Sequence, residues 1–283
     1  MKTLILFEKA YESTEEIAKR LALILGPANY CDISEFKEEY KDFDILIFGI
    51  AVYRKGISKK ALEFIQANKQ WIKDKKIALF YTTREERRQY SYTIRVKEQV
   101  GEALFMSKAF RNGTENIKAY ARALKEKYEL LIKKPENESL FSSIEAFIKE
   151  HNTLVLGTGY GKSIRVTPLE YVYIDKTFYS VTEGGEKFSN LIVNNEVALT
   201  VYDKFTSYDK RRGIQITGKA FLIPINSEEY KAILMEKNIE EKENISFCGS
   251  MHILKIKPEK AEFLNYEFEQ EGYDIKQVYY FNG

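Results

Sequence analysis

Four apolar runs in the first 133 residues constrain this chain more than any other feature: LILF at Leu4–Phe7, DILIFGIAVY at Asp44–Tyr53, KIALFYTT at Lys76–Thr83 and EALFMSKAF at Glu102–Phe110. Each is nearly continuous rather than alternating in polarity, the pattern of a strand covered on both faces. Between them lie amphipathic stretches with readable starts, Ser13 before EEIAKRLALIL, Ser58 before KKALEFIQAN and Thr114 before ENIKAYARALKEKYELL. A weaker strand, NYCDI, precedes the second run. Strands alternating with helices in this way predict a parallel sheet with right-handed crossovers, a three-layer α/β/α domain.

The pattern breaks at KKPENES (Lys133–Ser139), which is charged and carries one of only five prolines. We place a boundary there, giving domains 1–133 and 139–283. After a short helix, SIEAFIKEH, the second domain reads as strands joined by turns: TLVLGT, SIRVTPLEYVYI, TFYSVT, EVALTVYD and GIQITGKAFLIPI, with HILKIKPEKAEFLNYEF and DIKQVYYF in the tail. Two helical stretches, KFSNLIVN and SEEYKAILMEKN, interrupt them. Many short strands with few helices predict a small closed or split β-barrel.

Charge and composition narrow the partners. The 44 basic and 42 acidic residues nearly cancel, so no global field favours nucleic acid or an anionic membrane. Two cysteines, Cys31 and Cys248, and two histidines, His151 and His252, form no zinc pattern and no disulfide framework, so no metal is expected. No run of eighteen apolar residues occurs and MKTLILFEK is too short for a signal core, so a cytoplasmic protein is expected.

IRVTPLEYVYIDKTFYSVTEGGEKFSNLIVNNEVALTVYD, with RGIQITGKA downstream, resembles the pyridoxamine 5′-phosphate oxidase-like family of split-barrel flavoproteins. The resemblance implies FMN held between the subunits of a homodimer. The chemistry of that ligand asks for local positive charge and hydroxyls at its phosphate, and an apolar wall with backbone groups at its ring. Arg165 stands where the family supplies a basic residue. Ser180 and Thr182 are two apart on one strand and face one side, and Thr182 matches a family hydroxyl that contacts the phosphate. Lys187 follows the glycine turn EGGEK, near helix N-terminal amides; Glu186 replaces the second basic residue that many members place beside this lysine. The backbone of Val166, Thr167, Pro168 and Leu169 is expected to flank the ring, and Gln215 is a candidate for its polar edge. Taken singly, each of these residues also has an ordinary structural reading as a solvated or pleat position.

MKTLILFEKAYESTEEIAKRLA, DILIFGIAVYRKGISKKALEFI and ALFYTT resemble a flavodoxin-like domain, most nearly the subgroup that includes the flavodoxin-type protoporphyrinogen oxidase. There a turn of serine, glycine, serine and threonine holds FMN's phosphate at a helix N-terminus. In this chain Lys9 replaces the first hydroxyl and Glu12 the glycine, while Ser13 and Thr14 remain. Ser13 with Glu16 also spells a capping box, which needs no ligand. Tyr53, Tyr81 and Tyr90 are aromatic candidates for stacking, and Arg84, Arg87 and Arg88 form a local basic run.

The resemblances imply an FMN-dependent oxidoreductase with its flavin in the split barrel and the flavodoxin-like domain as electron conduit or structural partner. A nicotinamide nucleotide or a protein would donate the electrons. The alternative is a non-catalytic flavin-binding or docking protein; haem or tetrapyrrole chemistry is a third reading, although neither histidine lies in a recognisable haem-ligand context. No residue stands out as a catalytic acid or base. The carboxy-terminal arginine and proline pattern of the true vitamin B6 oxidase is not visible in DIKQVYYFNG.

Overall fold

The computed structural model describes residues 2–9, 12–53, 56–57, 59–83, 89–111, 116–225, 227–239 and 251–281. The chain divides into two compact units, Met1–Leu131 and Ile132–Gly283.

In the first unit five parallel strands, β1 (Thr3–Phe7), β2 (Ala28–Asp32), β3 (Ile45–Tyr53), β5 (Lys76–Thr82) and β6 (Leu104–Phe110), lie in the order β2-β1-β3-β5-β6, and the two-residue β4 (Gly56–Ile57) turns back on β3. Successive residues of one strand enter different cores. Leu4, Leu6, Leu46, Phe48 and Ile50 join Ala61 and Ile65 of α2 (Lys59–Ala67), Ile72 of α3 (Lys69–Ile72) and Val96 of α4 (Gln89–Val100). Ile5, Phe7, Ile45, Ile47 and Phe80 join Ile17 and Leu21 of α1 (Glu12–Leu25) and Tyr120 and Leu124 of α5 (Ile117–Glu129). That two-sided burial is the physical cause of the unbroken apolar runs. Edge strand β2 buries only Cys31, which is why NYCDI reads weakly; burial pushes the Cys31 thiol up to about 11.

One expectation for this unit is corrected and one stacking candidate is removed. Helix α1 starts at Glu12, so Ser13 lies inside its first turn instead of capping it. Tyr81 is fully enclosed, with its hydroxyl near Thr93 Oγ1 at 3.4 Å and burial pushing it up to about 12, so its ring is unavailable for stacking. Ser58, Thr114, Arg84, Arg87 and Arg88 lie outside the described residues, as do the side chains of Tyr53 and Tyr90.

The second unit opens with α6 (Asn137–Lys149). An antiparallel sheet follows, made of β7 (Thr153–Tyr160), β8 (Ser163–Glu170), β9 (Val172–Ile174), β10 (Thr177–Thr182), β11 (Glu196–Tyr202), β12 (Arg212–Leu222), β13 (His252–Asn265) and β14 (Lys276–Tyr280). Its order is β8-β7-β11-β12-β13-β10-β9, with β14 on β13. The fourteen-residue β13 pairs β10 through its first residues and β14 through its last, so one strand serves two parts of a curled sheet. A register shift at Thr217/Gly218, opposite Pro258, supplies the bend; proline cannot donate to a ladder and is tolerated at such a bulge.

Leu140, Ile144, Phe147 and Ile148 of α6, spaced by three and four, fill the hollow against Phe178, Leu199, Ile216, Leu254 and Phe263. Helix α8 (Glu228–Glu236) covers the other face of β10 and β13 through Tyr230, Ile233 and Leu234. The expected strand SIRVTPLEYVYI breaks at Tyr171, whose buried hydroxyl donates to Ile148 O at 2.6 Å. The helix expected over KFSNLIVN is shorter: α7 runs Glu186–Leu191.

Candidate functional site

The candidate site grows from an unusual concentration of polar side chains at one end of an apolar core. Thr158, Ser180, Thr182, Lys187 and Asn190 are all buried there. Ser180 and Thr182 extend the row begun by Phe178, whose cross-strand partner Ile256 belongs to the core, so both point to the α6 side of the sheet. Arg165 pairs with Thr158 across β7 and β8 and shares its face. Asn190 Nδ2 donates to Thr158 Oγ1 at 3.3 Å, tying α7 over the cluster.

The turn before α7 shapes the cationic end. Gly185 adopts φ 134°, a conformation side chains disfavour. Lys187 Nζ donates to the carbonyls of Glu183 at 2.8 Å and Gly184 at 3.1 Å, and lies 4.8 Å from the Phe188 ring centroid. An ammonium carries three donors, so one N–H is left over. Burial lowers the Lys187 pKa from its ordinary 10.5, outweighing the Glu183 carboxylate that acts to raise it. Ser180 Oγ is fully enclosed and meets no hydrogen-bond partner among the described residues, whereas Thr182 Oγ1 donates to Glu183 O at 3.2 Å. An enclosed hydroxyl left unpaired costs stability, roughly 1–3 kcal/mol. Together these groups suit a phosphate, which accepts from hydroxyl and ammonium alike. Six residues of α7 make a short dipole, so side chains rather than helix amides carry the charge.

The lowered Lys187 pKa has a testable sign. The unfolded chain holds this proton up to its ordinary value while the folded chain releases it earlier, so stability without ligand rises with pH between the lowered value and 10.5. Lys187→Met is expected to remove that part of the rise, seen by comparing urea midpoints of the two proteins across the window.

Arg165 is more than half exposed and pairs through Nη1 with Glu186 Oε2 at 3.2 Å. The residue standing where the family has a second cation therefore partly neutralises the first.

The structure thus brings Arg165, Ser180, Thr182 and Lys187 together. Gln215 stands apart from them: its neighbours Ile214 and Ile216 enter the core, so its side chain emerges on the opposite face of the sheet. There it lines a trough of about 360 Å³ with Val166, Val155, Ala198 and Glu262. On β8, the last strand in the sheet order, Val166 and Pro168 are exposed, Thr167 is half-buried and Leu169 enters the core. Arg165 faces one side of this edge strand and Val166 the other. Thr158 and Asn190 were missed from the sequence. Asn190 carries a signal, three residues after Lys187 on one helix face; Thr158 becomes visible only once the β7–β8 register is known.

Of the histidines, His151 is fully engaged, Nδ1 with Phe147 O at 2.8 Å and Nε2 with Asp203 Oδ1 at 2.9 Å. It offers no nitrogen to a haem iron. Among the described residues no group of three or more His, Cys, Asp or Glu gathers as a metal site, and no helix is long and apolar enough to cross a membrane.

In the first unit the turn after β1 is crowded by carboxylates. The Lys9 N–H donates to Asp32 Oδ2 at 2.6 Å, and Lys9 Nζ lies 3.8 Å from Glu15. Thr14 is fully buried with its hydroxyl 2.8 Å from Thr82 Oγ1, and Ser13 is half-buried. Burial alone would raise Asp32, but hydrogen bonds from Ser34 and Lys9 outweigh it and lower its pKa, so this group is anionic. Lys9, Ser13 and Thr14 therefore do not form a converging set of donors, and the described charges fit a phosphate poorly.

Comparison with known proteins places both halves. The flavodoxin domain family matches residues 4–135, and the pyridoxamine 5′-phosphate oxidase family matches residues 140–265. No curated protein matches the chain. Similar solved structures include the haem storage protein HutZ from Vibrio cholerae, 18% identical over 42% of this chain and 89% of that one, TM-score 0.36. They also include a protein related to general stress protein 26, of the pyridoxinephosphate oxidase family, from Clostridium acetobutylicum, 15% identical over 52% and 98%, TM-score 0.38. A third is the FAD binding protein from Mycobacterium smegmatis, 15% identical over 48% and 91%, TM-score 0.33. The two matched families are flavin-binding families, and the chain joins a flavodoxin-like domain to a pyridoxamine 5′-phosphate oxidase-like split barrel.

Proposed function

We propose that this protein is an FMN-dependent oxidoreductase whose flavin is held by the split barrel, one per chain. The observation that carries the reading is the enclosed cluster beneath α7, where, among the described residues, a buried ammonium with an N–H to spare lies at the same end of the core as the unpartnered hydroxyl of Ser180. Lys187, Ser180 and Thr182 would hold the phosphate, with Arg165 at its rim. The backbone of Val166 to Leu169 on the edge strand would flank the ring, and Gln215 would serve its polar edge from the trough. When bound, FMN supplies the one- and two-electron chemistry. The protein's part is to orient the cofactor and exclude water from its phosphate; no side chain is assigned as acid or base.

Exposed apolar side chains at Ile164, Val166, Ile192 and Val193 suit burial against a second copy, so a homodimer through the barrel is part of the proposal. The flavodoxin-like domain is read as an electron conduit or structural partner, without a flavin of its own, and a nicotinamide nucleotide or a protein as the donor. A cytoplasmic location completes the reading.

The visible spectrum of the purified full-length chain, titrated with FMN, tests it. One bound flavin per chain, reduced anaerobically by NADH or NADPH, is expected. A protein that takes up no FMN overturns the proposal; flavin uptake without reduction by any nicotinamide or protein donor turns it toward a passive carrier.

A further inference from the structure

The polar end of the barrel core contains a side chain that nothing in the sequence places there. His252 is the first residue of β13 and stands directly opposite Thr182 in the antiparallel pairing with β10. Residues directly opposite in such a pair project to the same face, with Cβ atoms about 4.5–5.5 Å apart. The pairs Phe178 with Ile256 and Ser180 with Leu254 run toward it on that face, so His252 continues the row that holds Ser180 and Thr182. From α7 the Phe188 ring meets the imidazole edge-on at 5.2 Å, and the same ring lies 4.8 Å from Lys187 Nζ. Two independent elements thus bring the imidazole to the cluster.

Its state differs from that of the other histidine. Both nitrogens of His151 are bound, whereas neither nitrogen of His252 makes a hydrogen bond among the described residues. The ring is partly buried and packs against Phe188.

We infer that His252 is a further phosphate-binding residue of this site, donating a ring N–H to a phosphate oxygen of the cofactor beside Thr182 and Lys187. The inference rests on the FMN reading above and adds a group to it. It makes the site selective for the phosphorylated flavin through side chains from β10, α7 and β13, with Arg165 of β8 at the rim.

The test uses full-length protein and two probes, FMN and riboflavin, which differ only in the phosphate. His252→Phe keeps an aromatic ring against Phe188 but has no N–H, while His252→Gln keeps an N–H donor without the ring. The phenylalanine variant is expected to bind FMN roughly tenfold more weakly, as loss of one hydrogen bond to a charged group implies, and riboflavin as the wild type does. The glutamine variant is expected to retain most of the FMN affinity. Equal weakening of FMN and riboflavin in both variants would mean a packing role and overturn the inference, as would unchanged FMN binding in His252→Phe. A wild-type chain that binds FMN no tighter than riboflavin overturns the phosphate site itself, and this outcome is read before either variant is made.

Discussion

Replacing Lys187 and Arg165 together by alanine is expected to weaken FMN binding about a hundredfold or more, while riboflavin binding stays within about threefold. Hydrogen bonds to charged groups contribute about 1.5–3 kcal/mol each, and every 1.4 kcal/mol is about tenfold in affinity. Most of the loss should come from Lys187, because its ammonium is buried and a desolvated donor interacts more strongly with an anion. Arg165 should contribute less, since it is exposed and already paired with Glu186. Fluorescence quenching titrations of both flavins check this. A double variant that binds FMN as tightly as the wild type would remove the phosphate from beneath α7 altogether.

The second large effect concerns the bend of the barrel. A Cβ added to Gly218 would lie 2.2 Å from Lys257 O and 3.0 Å from Pro258 Cα, both backbone atoms of the neighbouring strand. Neither can yield without opening the ladder at its irregular point, because Pro258 is conformationally fixed and Gly218 sits at the register shift. Gly218→Ala is therefore expected to cost about 3 kcal/mol of stability, the upper end for overpacking, in urea denaturation of the full-length chain. Gly159→Ala is the control: its Cβ would meet only Ser163 O, at 3.5 Å, an ordinary contact. A change within about 0.5 kcal/mol is expected there.

How much of this was legible beforehand depends on how local each cause is. The parallel sheet of the first unit was readable because burial on both faces leaves an unbroken apolar run, as in Ile47 and Phe48, which enter opposite flanking layers. Resemblance to the oxidase-like family marked Arg165, Thr182 and Lys187, and strand alternation added Ser180 beside Thr182. Their convergence could not be read, since it depends on β8, β10 and α7 being brought to one end of a core by the sheet order. Tyr81 is a simpler case: one tyrosine among twenty near a strand end is more often a core aromatic than a stacking ring, and packing buries it. Ser13 fitted a capping pattern, but the helix begins one residue earlier. His252 carried no local signal because its meaning lies in its cross-strand neighbour, seventy positions back in the chain at Thr182.

The two carbonyls that Lys187 holds in the turn before α7 give the site a resting state. A phosphate arriving there adds a partner through the remaining N–H or takes over from a carbonyl, so binding is partly an exchange in which the ammonium is never left bare. The unliganded barrel should then keep its folded form, and cofactor should be removable and restorable without refolding. Affinity is set by the difference between two good sets of acceptors, which favours a protein able to release its flavin as well as retain it.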